Sequence, residues 1–157
     1  MPNTTVTKIE RIQDFRHWNT FQTELENIAR KWRKPSDQIE TKWLYHGSSG
    51  VDPKLIYKSE EGLDLRFSDK GMWGHGVYLA VNSETSDRFS HPVKSTSERK
   101  MFCAQVIIGN AKYLEPDSSL TKPPFIDGSK TDSYDIVKGK LFGDDIYISY
   151  SNKKIYA

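Results

Sequence analysis

Between Asp14 and Arg33 the chain carries Phe15, Trp18, Phe21, Leu25, Ile28, Ala29 and Trp32, apolar residues that recur mostly at spacings of three and four. On a helix these positions form one stripe, so the segment predicts an amphipathic helix lying on an apolar body. Asp14 is placed to cap its start, and Pro35 ends the pattern. The two tryptophans read as packing residues. After Pro35 the character changes, and short apolar runs alternate with turn residues. Lys42–His46, Gly76–Ala80, Met101–Ile108, Tyr134–Val137 and Asp145–Tyr150 read as strands, with a turn and a short final strand after them. Asn82–Phe89 reads as a short helix with Asn82 or Ser83 as its cap. Glu115–Ser133 is mostly polar, holds Pro116, Pro123, Pro124 and Gly128, and reads as a loop. Loops of that length in compact domains are usually functional or disordered. One helix over a strand-rich body, expected as two packed sheets, is an α+β architecture, and 157 residues suit a single domain over 1–157.

Composition removes several function classes. A formal net charge of +2 is too small for the whole-molecule field to attract nucleic acid, though it leaves room for a local basic patch. Cys103 is the only cysteine, so no intramolecular disulfide forms, and His17, His46, His75 and His91 lack metal-ligand spacing. The first fifteen residues are polar and charged, without the apolar run of a signal peptide or membrane span. The expectation is a soluble protein of the cytoplasm or nucleus, monomeric, with no metal and no membrane partner.

Three segments carry candidate chemistry. Leu44-Tyr45-His46-Gly47-Ser48 ends a predicted strand with an imidazole and a peptide unobstructed by a side chain, against which a planar ligand can lie. Gly71-Met72-Trp73-Gly74-His75-Gly76-Val77-Tyr78-Leu79-Ala80 places three glycines before an aromatic strand, a pattern that predicts close ligand approach. It is not the Gly-x-Gly-x-x-Gly fingerprint and has no βαβ setting, which excludes a Rossmann reading. Ser86 and Phe89 share a helix face, so Tyr78 and Phe89 with a hydroxyl nearby could clamp a flat heterocycle. The third segment, Ile146-Tyr147-Ile148-Ser149-Tyr150, says by itself only strand. The plain reading of each piece is structural: a strand-end histidine, and core aromatics.

In this order and spacing the three segments resemble the catalytic domain of the poly(ADP-ribose) polymerase-like ADP-ribosyltransferases. Val6–Gln13 with Trp18 is similar to the opening strand and helix of the family's mono-transferring branch, Met101–Val106 to its next strand, and Pro123-Pro124 and Tyr134-Asp135 to later landmarks. Nearly the whole chain is covered. The resemblance implies a split β-sandwich of two mainly antiparallel sheets, with a cleft for NAD as co-substrate. It implies that His46 holds a ribose hydroxyl of NAD, that Gly47 pairs its main chain with the nicotinamide amide, and that Ser86 completes that grip. Tyr78 would flank the ring, with Ser48 and Ala80 beside these residues in the cleft. Phe89 stands where the family usually has a second stacking tyrosine, keeping the ring and losing the hydroxyl. Gly62–Lys70 resembles the loop over the donor, where Arg66 or Lys70 could meet the pyrophosphate.

The departure is at the third member of the family's His-Tyr-Glu triad. A gapless match puts Ile146 there, and His-Tyr-Ile members of the family transfer single units. A one-residue slip would put Asp145 in the cleft, while Asp144 shares Ile146's face one pleat back. The implied function is NAD-dependent mono-ADP-ribosyl transfer with release of nicotinamide. The transition state would resemble an oxocarbenium ion, and the protein's task would be positioning. Without a glutamate base, the acceptor is expected to be already ionised. A protein side chain is the favoured acceptor and a nucleic-acid end the variant, for which Arg88, Lys94, Arg99 and Lys100 are the candidate basic residues; their plain reading is a solvated loop. The Glu115–Ser133 loop is expected to wall the acceptor side. The alternative class is an inactive module that binds NAD or ADP-ribose. RNA 2′-phosphotransferases share the fold, but no motif for their substrate-binding arginines is present.

Overall fold

The computed structural model describes residues 4–48, 52–92 and 98–157. Helix α1 (Phe15–Trp32) forms where the apolar spacing requires it. The Asp14 carboxylate accepts the backbone N–H groups of Arg16 and His17, and Arg33 closes the helix in the left-handed region with φ 52°. Phe21, Ile28 and Ala29 are buried against Ile39 and Ile107, with Leu25, Trp32 and Tyr156 at the edge of the cluster. The stripe ends short of the first turn: Phe15 is 77% exposed. Trp32 does more than pack. Its indole N–H donates to Asp135 at 2.6 Å, and Lys31 Nζ reaches the same buried carboxylate at 2.7 Å. This pins the helix end to the sheet. Val6–Gln13, expected as an opening strand, is not one; it has no ladder partner, and of its residues only Ile12 packs against the core.

The remaining elements are β1 (Thr41–Gly47), α2 (Pro53–Tyr57), β2 (Lys70–Gly71), β3 (Gly74–His75), β4 (Val77–Ala80), α3 (Ser83–Asp87), β5 (Met101–Ile107), β6 (Ala111–Tyr113), β7 (Ile136–Leu141), β8 (Asp144–Ser149) and β9 (Ile155–Tyr156). Seven strands run in the order β6-β7-β8-β4-β1-β5-β9, and β2 with β3 makes a second, small sheet. Within the seven, only β6 and β7 pair in parallel. The strand expected at Tyr134–Val137 instead runs from Ile136 to Leu141. Its second half carries Lys138 and Lys140, whose charge hid it from a reading that follows apolar runs.

The large sheet is continuous in hydrogen-bonding order but split in strength. β1 meets β5 in register from Thr41↔Ile107 to Gly47↔Met101, whereas it meets β4 at Tyr45↔Ala80 alone. The split expected from the resemblance is therefore a seam between β1-β5-β9 and β6-β7-β8-β4. Alternation along β4 sends Val77 and Leu79 into one core cluster with Leu44, Phe102 and Tyr147. Tyr78 and Ala80 go into another with Trp73, Val137, Ile146 and Ile148.

Candidate functional site

Where the ladder between β1 and β4 thins to one pair, side chains take over. His46 Nδ1 lies 2.8 Å from the carbonyl oxygen of Tyr78. A carbonyl only accepts, so the proton sits on Nδ1. Burial pushes the imidazole below the ordinary histidine value of 6.5, with the Tyr78 hydrogen bond opposing the shift. The ring is thus neutral at pH 7, and Nε2 presents a lone pair, an acceptor suited to a hydroxyl. On α3, Ser86 donates its hydroxyl to the Tyr45 carbonyl at 2.8 Å, tying the segment after β4 back to β1. Its oxygen keeps lone pairs for a further donor.

Gly47 is needed for a different reason from the one its sequence setting suggests. A Cβ there would stand within 3 Å of the Ser86 carbonyl oxygen and the Ser90 hydroxyl, and 3.2 Å from the Phe89 carbonyl carbon. The space spared by the glycine holds α3, not a ligand, so a guest must meet the Gly47 peptide from another side. That packing also brings Phe89, half exposed, next to Gly47. Ser48, which follows, is buried.

The three glycines before Tyr78 are likewise filled by the protein. A Cβ on Gly71 would strike the Tyr78 ring at 2.6 Å, one on Gly74 the Leu120 carbonyl, and one on Gly76 the Ile148 side chain. Tyr78 braces this loop: its hydroxyl accepts from Trp73 N–H at 2.8 Å and donates to the Gly74 carbonyl at 2.9 Å. Both hydroxyl functions are engaged inside the protein, which fixes the ring and leaves it to act as a surface.

Register resolves the three candidates on β8. Ala80 faces Ile146 and Tyr78 faces Ile148, so Ile146 shares the Tyr78 face. It is 2% exposed and packed among Trp73, Ala80, Val137 and Ile148. Asp145 points to the other face and is paired with Lys138 at 2.7 Å. Asp144 lies on the Ile146 face, buried, and accepts from Asn82 N–H at 3.0 Å and Asn82 Nδ2 at 2.8 Å. The Asn82 side chain therefore does not cap α3; it is spent on Asp144. Both aspartates are thus engaged by side chains or main chain of the protein itself.

Residues 2–156 match the family described as the poly(ADP-ribose) polymerase catalytic domain. The chain belongs to that family. It is 32% identical over 153 residues to a probable poly(ADP-ribose) polymerase of Dictyostelium discoideum, covering 96% of this chain and 42% of that protein. It is 25% identical over 174 residues to the human protein mono-ADP-ribosyltransferase PARP11, covering 99% of this chain and 50% of that protein. Human PARP12, also named a protein mono-ADP-ribosyltransferase, is 23% identical over 96% of this chain and 21% of its own length. The chain thus spans half or less of each of these relatives.

Enzymes of this poly(ADP-ribose) polymerase family use NAD as co-substrate, and the site fits it. The neutral His46 suits a ribose hydroxyl, and Phe89, whose main chain packs against Gly47 and whose side chain is partly exposed, offers a ring for a flat amide-bearing one. Arg66 is already engaged: its Nε lies 2.7 Å and its Nη2 2.5 Å from Asp64 Oδ2, while its side chain remains 74% exposed. The Arg66 guanidinium holds the buried Asp64 carboxyl below the usual range, with burial opposing. Asp64 also caps the tight turn Leu65–Phe67, a spacing legible as a cap but passed over in the sequence. Lys70 is exposed on β2. Of the basic residues near the cleft, Arg99 is paired with Asp87 at 2.5 Å, Arg88 lies 3.9 Å from Glu84, Lys100 is exposed, and Lys94 falls outside the described residues. The Glu115–Ser133 loop holds one isolated bridge, Phe125 with Ser133, and docks through the Leu120 carbonyl on His75 N–H at 3.2 Å. Among the described residues no helix is long and apolar enough to cross a membrane, and no cluster could hold a metal ion.

Proposed function

We propose that this domain transfers one ADP-ribose unit from NAD to an ionised acceptor, releasing nicotinamide. One observation supports the reading: Ile146, a side chain that can neither accept a proton nor hold a hydroxyl, stands on the Tyr78 face of β8 while both neighbouring aspartates are committed elsewhere. NAD, when bound, supplies the ADP-ribose and a leaving group that needs no protonation by the protein. His46 Nε2 accepts from a ribose hydroxyl. The main chain of Gly47 and the hydroxyl of Ser86 fix the nicotinamide amide, and the rings of Tyr78 and Phe89 hold the heterocycle between them. Ser48, Ala80 and Ile146 shape the cleft, and Arg66, oriented by Asp64, faces the pyrophosphate. Held in this way, the bond to nicotinamide is set in place for departure, and positioning and fixed dipoles do the catalytic work. A carboxylate side chain of a protein is the acceptor we favour, since an ionised oxygen attacks without a base. The single cysteine, Cys103, suits a reducing compartment, and we assign the activity to cytoplasm or nucleus.

The test is incubation of the purified chain with labelled NAD and a protein or nucleic-acid extract, beside a His46→Ala, Tyr78→Ala double variant. Single labelled units on protein, lost in the variant, are the expected result. Long chains would mean that a carboxylate replaces the glutamate after all. NAD binding without nicotinamide release would make the domain an inactive binding module.

A further inference from the structure

The hairpin between β7 and β8 turns on Phe142 and Gly143, whose φ values are 53° and 82°, between the paired residues Leu141 and Asp144. Two positive φ values in a two-residue loop are what a type I′ turn demands, and Asn-Gly is the sequence that adopts it most readily. A phenylalanine in the left-handed region is a strained choice. Burial does not compensate, because Phe142 is 62% exposed. Its ring instead meets Arg88, whose guanidinium carbon lies 4.7 Å from the ring centroid. Val81 and Phe89 are also exposed nearby along the chain. The pair joins the β7–β8 turn to the end of α3. Arg88 directly precedes Phe89, whose carbonyl carbon packs against Gly47, and Phe142 lies four residues before Ile146 on the hairpin that delivers it.

We propose that Phe142 and Arg88 form the docking surface for the acceptor, and that they fit a protein segment presenting a carboxylate beside an apolar side chain. The proposal rests on the transferase reading above. An aromatic ring and a guanidinium side by side are the residue types that dominate binding at protein interfaces. The guanidinium matches a carboxylate by charge, and Glu84, at 3.9 Å, stands at the limit of an ion pair. A nucleic-acid strand would call for several cations along one track, yet Arg99, which reaches α3 alongside, is held by Asp87, and Lys138 on β7 by Asp145. A strained residue on an exposed turn is accounted for when its ring is used there.

Phe142→Asn separates use from strain. The variant and Arg88→Ala are compared with the intact chain for melting temperature, nicotinamide release without acceptor, and label transfer to a synthetic peptide alternating glutamate and phenylalanine. A 5′-phosphorylated single-stranded oligonucleotide is run in parallel. Phe142→Asn should raise the melting temperature by about 2–4 °C, as relief of turn strain does in a domain of this size. It should leave nicotinamide release unchanged and lower transfer to the peptide by about tenfold. Arg88→Ala should lower transfer likewise, and Phe142→Tyr should retain it. Unchanged peptide transfer in both Phe142→Asn and Arg88→Ala, with nicotinamide release intact, overturns the docking surface and leaves the transferase reading standing. Preferred labelling of the oligonucleotide, lost in the two variants, overturns the choice of a protein segment. A wild-type chain that releases no nicotinamide even with the peptide or the oligonucleotide present removes the transferase reading, and the docking surface with it.

Discussion

The Nδ1–H of His46 donates to the main-chain carbonyl of Tyr78 at 2.8 Å, joining the end of β1 to the middle of β4 across the seam. One hydrogen bond thereby sets three things: the tautomer of the imidazole, the direction of its free nitrogen, and the spacing of the two sheet halves. In the proposed site, His46 would hold the cleft as well as line it.

That arrangement predicts a pH dependence. The folded pKa of His46 lies below the unfolded value of 6.5 because burial disfavours the cation. The unfolded chain therefore binds more protons near pH 6, so this residue's contribution is fully present above 6.5 and is lost as pH falls towards the lowered folded value. Protonation also removes the Nε2 lone pair. The KM for NAD should rise on the acid side with a midpoint below 6.5, and the acid limb should vanish in His46→Gln, which accepts but does not titrate. A midpoint at or above 6.5 would contradict the burial of the ring.

Ile146→Glu should not convert the domain into a polymerase. The side chain sits among Trp73, Val137 and Ile148, and a carboxylate there has no partner. Burying an uncompensated ionisable group costs about 3–5 kcal/mol, so the expected outcome is a large fall in melting temperature with no long chains among the products. Folded, polymer-forming Ile146→Glu would show that the pocket is open to charge.

Asp144 and Asp145 should behave oppositely. Asp144→Ala removes the charged acceptor of the Asn82 N–H and should cost about 1.5–3 kcal/mol. Because Asn82 starts the helix carrying Ser86, the KM for NAD should rise more than kcat falls. Asp145→Ala removes a half-exposed ion pair with Lys138, worth about 0–1 kcal/mol, and should leave turnover unchanged. Urea unfolding and steady-state kinetics on both variants decide this. Loss of turnover in Asp145→Ala alone would restore it as the catalytic carboxylate.

Gly47→Ala puts a methyl group against the Ser86 carbonyl oxygen, a main-chain atom that moves only with α3. Overpacking of this kind costs about 1–3 kcal/mol. NAD binding, read by calorimetry, should weaken as Ser86 and Phe89 are displaced together. An unaffected affinity would separate the position of α3 from the grip on nicotinamide.

Much of this was legible in the sequence. The helix after Asp14 and the strand ending at Ala80 follow from spacing, because side-chain period dictates face, and the strand read to His46 runs one residue further, to Gly47. What escaped was set by contacts distant along the chain. The second half of β7 is disguised by Lys138 and Lys140, which stand on a strand whose neighbours supply the pairing. Phe15 belongs to the apolar stripe by period, yet extends past the end of the surface the helix covers. The glycines at 47, 71, 74 and 76 announce close approach, but no local pattern tells whether a ligand or the protein makes it. Asp135 falls within the strand read over Tyr134–Val137, and nothing local shows that Trp32, Lys31 and Asn110 converge on it.

The single rung between Tyr45 and Ala80 also divides the labour of the molecule. His46 and Gly47 belong to one half-sheet, Tyr78 and Ile146 to the other, so the proposed donor site would depend on the two halves keeping their alignment. Amide exchange should reveal this as two blocks of slowly exchanging strands flanking a fast line. A bound dinucleotide would act as a rivet, and protection along that line would then report occupancy.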